Sequence, residues 1–300
     1  MYPPSRGEFV MEDLIKITLG TATLKKTGVG GGGCINEGEA YFTDTGTIFV
    51  KRNAKKKAKL LFDGEFASLK ALLATRTVRA PEPITVLDNP AGGALLVMEY
   101  LDMRRVTRFS RQLGESLARL HLHNVQLEKK GRTSSVDGVD GEEEVAHVSE
   151  FGFHTTTCCG YLPLDNTWNS DWAYGDREAL ELWSQLHLKV PSFFKGLDVQ
   201  PSLLHGDLWS GNIAETDNEP AVIFDPAAFY GHHEFDLSIA GMFGGFDSKF
   251  YDAYHRIIPK APGFEKRHKL YQLFHHLNHW NHFGTSYRSS SVSIMKSLLK

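Results

Sequence analysis

The segment HGDLWSGN, residues 205–212, contains the residues whose types and spacing are chemically most informative. Asp207 is followed five residues later by Asn212, and Asp225 comes thirteen residues after that, at the end of the apolar run AVIF. Phosphoryl transfer requires a carboxylate that accepts the proton of the attacking hydroxyl, and oxygen ligands that hold Mg²⁺. Single Asp and Asn residues are usually turn formers. The order and spacing of these three match a kinase catalytic loop followed by a metal-binding Asp.

The first third of the chain gives a second, independent indication of nucleotide chemistry. Residues 28–33 read GVGGGG, and a loop of this kind lets backbone N–H groups approach phosphates closely. Lys51 ends the β-rich run IFVK, the context of a lysine that contacts the α- and β-phosphates. Glu65, on the next helix, can pair with Lys51, since a partly buried lysine without a partner tends to lose its charge.

The segment MEYL, which ends the last strand of this part, is expected to form the hinge that contacts adenine. The residues assigned to the nucleotide are Gly30, Gly31, Gly32, Gly33, Lys51, Glu65, Met98, Glu99, Tyr100 and Leu101.

Hydrophobic periodicity divides the chain into a β-rich and a helical part. Two β-rich runs flank Asp44-Thr45-Gly46 and predict a hairpin, and ITVLD and ALLVMEYL predict two more strands. The apolar stripe of Phe62, Phe66, Leu69 and Leu73 predicts a helix. Helices are predicted over 11–18, 57–75 and 109–124, and a polar loop over 128–144. The pattern favours an α+β, protein-kinase-like fold with an N-lobe over 1–102 and a helical C-lobe over 103–300.

Composition argues against several classes of partner and compartment for this protein. The net charge of −3 gives no general attraction to nucleic acid or to an anionic membrane. No apolar run approaches the ~20 residues that span a bilayer. The first residues lack the pattern of a secretory signal, and the three cysteines are too few for a disulfide framework. We therefore expect a cytoplasmic protein.

The chain resembles the fructosamine-3-kinase and ketosamine-3-kinase family, which is related to aminoglycoside and choline phosphotransferases. The matching stretches are GGGCINEG, FVKRN, FDGEFASL, VMEYLDM, LGESLARLH, FGFHTTTCCGYLP, LLHGDLWSGN, IFDPAAFYGHHEFDLSIAGMFGGF, AYHRIIPKAPGFEKR and LNHWNHFG. They are spread over nearly the whole sequence.

The resemblance implies ATP and Mg²⁺ as cofactors, with Asp207 as proton acceptor and Asn212 and Asp225 as metal ligands. It implies that Lys51 and Glu65 organise the phosphates. The implied acceptor is the 3-hydroxyl of a ketosamine, on a protein or a free amine, in the repair of glycated protein.

One stretch departs from the family pattern. Only residues 173–176 separate Trp172 from Arg177, where the family has a longer, helix-forming segment. This leaves two alternatives beside the ketosamine kinase. One is a kinase for another small alcohol, such as an aminoglycoside or choline. The other is a non-catalytic, kinase-like binding protein.

Further residues allow a functional and a structural interpretation. Trp209 is either a wall of the sugar site or a core residue. Cys34, at the end of the glycine loop, is a hypothetical redox switch, in a protein that is a monomer or a redox-dependent dimer. Cys158 and Cys159 are read as core. Zinc ligation by His275, His276, His279 and His282 is weighed against packing or a role, with Trp280, in an acceptor pocket. Glu234 and Asp236 are candidates to support the catalytic loop.

Overall fold

The computed structural model describes residues 6–32, 36–133, 146–160, 162–164, 166, 182–217, 221–283 and 285–300. Its first part is a five-stranded antiparallel sheet in the order β1-β2-β3-β5-β4. The strands are β1 (Lys25–Gly32), β2 (Glu37–Thr43), β3 (Gly46–Asn53), β4 (Pro83–Asp88) and β5 (Ala94–Glu99), and the helices are α1 (Arg6–Leu19) and α2 (Ala58–Ala74). The predicted strands and hairpin are confirmed, while α1 is longer than the helix predicted over 11–18.

The two faces of this sheet pack against different helices. Alternate residues of a strand point to opposite faces. In β5, Leu96 packs in the core that contains Phe62 of α2, whereas Leu95 and Val97 pack with Ile15 of α1. Lys51 of β3 lies directly opposite Leu96. The register therefore places Lys51 on the face that α2 covers.

The second part is mainly helical, as predicted. Its helices are α3 (Ser110–Thr133), α4 (Leu182–Phe194), α5 (Glu234–Ala240), α6 (Ser248–Ile257), α7 (Phe264–Phe283) and α8 (Arg288–Leu299). Its strands are the short β6 (Cys158–Cys159), β7 (Leu162–Pro163), β8 (Ser202–Leu204), β9 (Ile213–Ala214), β10 (Val222–Ile223) and β11 (Phe229–Gly231). Strand β8 pairs with β11, and β9 with β10, so the segments around Asp207 and Asp225 are joined twice. None of the described helices is both long and apolar enough to cross a membrane.

The prediction of a loop over 128–144 is wrong at its beginning. Helix α3 continues to Thr133. Glu128, Lys129 and Lys130 have straight side chains that lose little freedom in a helix, so their polarity does not end it. Residues 134–145 lie outside the described part of the chain.

The burial of His275 makes the free energy of unfolding depend on pH. It is fully buried on α7, beside the rings of Phe235 and Phe274, and burial lowers its pKa to about 3. An unfolded histidine takes up a proton near pH ~6.5. Below that pH the unfolded chain binds a proton that the folded protein does not. This contribution to the free energy of unfolding therefore falls as the pH drops from about 6.5 toward the folded pKa.

We expect the free energy of unfolding of His275→Leu, relative to that of wild type, to rise by about 1.4 kcal/mol when the pH is lowered from 7.5 to 5.5. Urea unfolding of both proteins at each pH measures this. The comparison with wild type is needed because Asp207 and Glu65, whose pKa values are raised to about 7, act in the opposite direction. The control is His187→Gln at an exposed position of α4. A His275→Leu difference that is the same at both pH values would contradict the prediction.

Candidate active site

Lys51, Glu65 and Asp225 meet in the cleft between the sheet and the helical part. The Lys51 Nζ lies 2.5 Å from Glu65 Oε1 and 2.5 Å from Asp225 Oδ1. Burial by itself would lower the pKa of Lys51, but the two carboxylates outweigh it and hold that pKa above its usual value. Lys51 is therefore a fixed positive charge. The Asp225 side chain is 44% exposed, against 12% for Glu65, so Asp225 borders the open cleft.

Small residues on α2 fix the position of Glu65. A Cβ at Gly64 would lie 2.5 Å from the backbone oxygen of Thr156, so α2 is in direct contact with the backbone of the second part. The Ser68 hydroxyl accepts a hydrogen bond from the N–H of Ala228 at 3.1 Å, three residues after Asp225. Sequence reasoning missed both residues. The available signal was a pair of small residues, four apart, on an otherwise apolar helix.

Asp207 and Asn212 lie on the other side of the cleft. The Asn212 amide nitrogen donates to the Asp207 backbone oxygen at 2.8 Å and to its Oδ2 at 3.2 Å. The N–H of Asn212 donates to the Trp209 oxygen at 2.9 Å, closing a short 3₁₀ turn over Ser210–Asn212. The spacing of five residues thus brings the two side chains together.

Two backbone positions in the left-handed region shape this centre. Gly206 has φ +82°, and a Cβ there would lie 2.1 Å from the Ala227 oxygen, so only glycine allows the two loops to touch. Asp225 has φ 55°, which Asp tolerates better than most residues. The N–H of Ala227 donates to the His205 oxygen at 2.9 Å. The loops that carry Asp207 and Asp225 are therefore locked to each other.

The surroundings of Asp207 suit a proton acceptor. Burial raises its pKa to about 7 and the charge of Asp225 adds to this, against the hydrogen bond from Asn212. A general base is most effective when its pKa lies near the working pH.

Asp236 supports the catalytic loop from below, whereas Glu234 does not. The Asp236 carboxylate accepts the N–H groups of His205 at 2.8 Å and Gly206 at 2.9 Å. Glu234 instead accepts two hydrogen bonds, at 2.8 and 2.6 Å, from the fully buried guanidinium of Arg267. Of the two candidates, the structure places Asp236 alone against the loop.

The oxygen donors at this centre fit Mg²⁺. Carboxylate and amide oxygens are its preferred protein ligands. Because the Asn212 nitrogen donates to Asp207, the Asn212 amide oxygen is the atom left to coordinate. The Oδ1 of Asp225 accepts a hydrogen bond from Lys51, and the Asp225 side chain is exposed enough to coordinate the ion as well. Asn212 and Asp225 are the residues that would hold the ion.

Asp225→Ala is expected to abolish the Mg²⁺-dependent part of ATP binding. The substitution removes the more exposed of the two carboxylates that pair with Lys51. Isothermal titration with ATP, with and without Mg²⁺, measures the effect. The control is Asp217→Ala, at an exposed site after β9. Retention of the full Mg²⁺ dependence in Asp225→Ala would remove Asp225 from the metal site.

The proposed nucleotide contacts are distributed over several strands of the sheet. Gly30, Gly31 and Gly32 lie in β1 and pair with β2. Met98 is buried beneath the hinge. The Glu99 carboxylate is engaged by Arg79, at 2.9 and 2.5 Å, and the Glu99 N–H donates to the Glu82 oxygen at 2.8 Å, so neither group is left for adenine. The adenine roles of Tyr100 and Leu101 stay predictions, and Gly33 and Cys34 lie outside the described residues.

Glu215 is a structural residue of the hinge region that sequence reasoning missed. Its carboxylate accepts the N–H groups of Thr107, Arg108 and Phe109, and its backbone pairs with Arg104. Glu215 comes three residues after Asn212, so it ties the chain that leaves the hinge to the strand that leaves the catalytic loop. A cavity of about 320 Å³ adjoins this junction and is lined by Ile213, Phe224 and others.

Two aromatic side chains, Trp209 and Phe243, contact each other close to the loop that carries Asp207. Trp209 is 38% exposed and packs over Gly211, whose Cβ would lie 2.2 Å from the indole ring. Its ring centroid is 5.8 Å from Phe243, which is 5.4 Å from His279 of α7. Trp209 is thus a half-exposed residue rather than a core residue.

Of the two adjacent cysteines read as core, Cys159 is buried and Cys158 is only partly buried. His282 lies against Gly160, where a Cβ would be 2.5 Å from Nε2. Cys159 is buried and its Sγ accepts a hydrogen bond from Asn278 at 3.0 Å. Among the described residues, the group that could hold a metal is His232–Glu234 rather than the α7 histidines. Since Glu234 is already paired with Arg267, that group carries no metal assignment.

Comparison with known proteins identifies the family of this chain. The family model for fructosamine kinase matches residues 10–178 and 175–300. A ketosamine-3-kinase of Mus musculus is 53% identical over 97% of this chain and 100% of its own length. A chloroplastic protein-ribulosamine 3-kinase of Arabidopsis thaliana is 38% identical, over 95% of this chain and 86% of its own.

Solved structures share the fold. A protein of Haemophilus somnus 129PT superposes with a TM-score of 0.74 at 21% identity, over 96% of both chains. LicA in complex with AMP gives 0.56 at 14% identity, over 98% of this chain and 100% of LicA. The protein-kinase-like fold predicted from the sequence is confirmed.

The comparisons also locate the departure from the family pattern. The alignment with the mouse protein extends over 310 positions, more than the 300 residues of this chain. At least ten residues of the mouse protein therefore fall opposite gaps in this chain. The two matches to the family model meet at residues 175–178, next to the short segment 173–176. That segment itself lies outside the described residues. Since the family model nevertheless spans residues 10–300, the chain belongs to the fructosamine kinase family.

Proposed function

We propose that this protein transfers the γ-phosphoryl group of ATP to the 3-hydroxyl of a ketosamine, carried by a glycated protein or a free amine. The observation that carries the proposal is the joint geometry of two groups across one cleft. Lys51, held by Glu65 and Asp225, provides a fixed cation, and Asp207, held by Asn212, provides a base. The names of the mouse and plant relatives supply the acceptor class.

The residues divide the reaction between them. The acceptor hydroxyl gives its proton to Asp207 while its oxygen forms a bond to the γ-phosphorus. The bond from that phosphorus to the β–γ bridging oxygen breaks, and ADP leaves with the electron pair. Lys51 contacts the phosphates of the bound nucleotide. Asn212 and Asp225 would hold Mg²⁺, which would supply positive charge next to the phosphates. Trp209 and Phe243 form the wall against which the sugar lies.

The experiment is ATP consumption by the purified protein with Mg²⁺. The acceptors are ribulosyl-lysine, fructosyl-lysine, an aminoglycoside and choline, and Asp207→Ala is the matched control. Turnover on a ketosamine that is lost in the control supports the proposal. Turnover on the aminoglycoside or choline alone would replace the acceptor class.

A second candidate, a nucleotide-binding protein without catalysis, is favoured by the shortened segment at 173–176. ATP binding without turnover on any acceptor would support it. ATP binding can be retained in that case, because the residues proposed to bind the metal and the phosphates lie outside the segment 173–176.

A further inference from the structure

The cavity of about 320 Å³ that follows the hinge has no role in the reaction described above. Its volume lies within the range of small ligand sites, which is ~300–1,000 Å³. Its lining includes neither Lys51 nor Glu65, and along the chain it begins at Met103, two residues beyond Leu101. The cavity is therefore separate from the residues proposed to bind the phosphates and adenine.

One end of this cavity adjoins the catalytic loop. Ser210, which directly follows Trp209, lines it. Phe243 also lines it, and the Phe243 ring centroid lies 5.8 Å from that of Trp209. Gly245 lets the segment that carries Phe243 lie against the catalytic loop, because a Cβ there would be 2.4 Å from the Ser210 Cβ. The cavity thus starts next to the two rings against which the sugar is proposed to lie.

The other end of the cavity carries positive charge. Arg104 and Arg105, in the chain that leaves the hinge, both line it. Arg104 is paired with Asp217, and Arg108 nearby is paired with Glu215. Arg105 is exposed, and within the part of the chain that the structure describes its guanidinium has no ion pair or hydrogen bond. Arg105 is therefore available to a ligand in the cavity.

Charge complementarity defines the ligand class. A guanidinium binds a carboxylate through two parallel hydrogen bonds. Ile213 and Phe224 also line the cavity, and their apolar side chains suit the methylene groups that lead to such a carboxylate. In a glycated protein the sugar is joined to the lysine amine through C1, close to the 3-hydroxyl. Side chains that neighbour the glycated lysine therefore lie beside the reacting sugar.

We propose that Arg105 is a specificity-determining residue, which binds an acidic side chain next to the glycated lysine of a protein substrate. The proposal deepens the proposed function and rests on it for the nature of the sugar. It predicts a lower KM for glycated peptides that carry an acidic neighbour. The KM for ATP should not depend on Arg105, because the cavity is separate from the proposed nucleotide contacts.

Matched peptides test the charge preference. Each peptide carries one glycated lysine, with glutamate, glutamine or lysine at one of the two positions on either side. We expect the wild type to use the best-placed glutamate peptide with a kcat/KM about fivefold above that of its glutamine counterpart, as for one partly exposed ion pair. The preference should shrink as salt is added, because exposed charges are screened.

Substitutions at the cavity assign the preference to one residue. Arg105→Gln should abolish it, and Arg105→Glu should reverse it in favour of the lysine peptide. The control is Arg111→Gln, at an exposed position of α3 that does not line the cavity, which should keep the wild-type preference. A ketosamine of butylamine has no neighbouring side chain, so wild type and all three variants should use it equally.

Three kinetic results would overturn the proposal. The first is an equal kcat/KM for the glutamate and glutamine peptides of every set in the wild type. The second is a preference that survives in Arg105→Gln. The third is a selective rise in the KM for ATP in Arg105→Gln, which would assign the cavity to the nucleotide.

Peptide binding without ATP separates this proposal from the proposed function. Fluorescence anisotropy of the labelled peptides measures binding to wild type and to Arg105→Gln. If the wild type turned over no ketosamine, the proposed function would fall, but tighter binding of the glutamate peptide that depends on Arg105 would still support the acidic-residue site. Equal binding of the glutamate and glutamine peptides would then overturn it.

Discussion

Asp207→Ala is expected to lower kcat by roughly 10²–10⁴, the usual contribution of a positioned base. The carboxylate is buried beside Asn212, and its raised pKa suits it to take a proton near neutral pH. Because Lys51 and Asp225 stay in place, the dissociation constant of ATP should change little. Single-turnover kinetics on the best ketosamine, with ATP titrations in parallel, measure both quantities.

A matched substitution separates loss of the base from loss of packing. Asp207→Asn keeps the shape and the hydrogen bond with Asn212 but cannot accept the proton, so it should be nearly as impaired as Asp207→Ala. Asp198→Ala, in the loop before β8, serves as the control with normal turnover. Near-normal turnover in Asp207→Asn would show that the carboxylate is not the base.

Lys51→Met is expected to destabilise the protein by about 3 kcal/mol and to weaken ATP binding. Removing one partner of a buried ion pair leaves an uncompensated charge, typically at a cost of about 3–5 kcal/mol. Here Glu65 and Asp225 would face each other without the ammonium that lies 2.5 Å from each. We expect the lower end of that range, because the Asp225 side chain is 44% exposed. Urea unfolding and ATP titration measure the two effects.

The pH dependence gives this prediction a specific signature. Protonation of Glu65 relieves the repulsion that the substitution creates, so the stability difference from wild type should be smaller at pH 5.5 than at pH 7.5. Lys56→Met, at an exposed position before α2, is the control and should be neutral. An unchanged stability for Lys51→Met would mean that the carboxylates do not depend on Lys51.

The nature of the site was predictable from local patterns. The spacing of Asp207 and Asn212 predicted that their side chains lie together, because a short-range turn positions them, and the structure shows this contact. Their roles in the reaction stay predictions. The alternation around Lys51 placed it on a strand, and the stripe that includes Phe62 placed Glu65 on the next helix. These inferences succeeded because each depends on residues close together in sequence. The strand positions and the fold class followed from the same periodicity.

The sequence by itself determined the class of chemistry, the family and the order of strands along the chain. Only the tertiary structure decided which buried groups pair, because those contacts join residues far apart in sequence. It chose Asp236 rather than Glu234 as the support of the catalytic loop, since Arg267 on a later helix engages Glu234. It brought His121 of α3 and Tyr254 of α6 together. Burial, which sets the pKa of Asp207, likewise exists only once the cleft has formed.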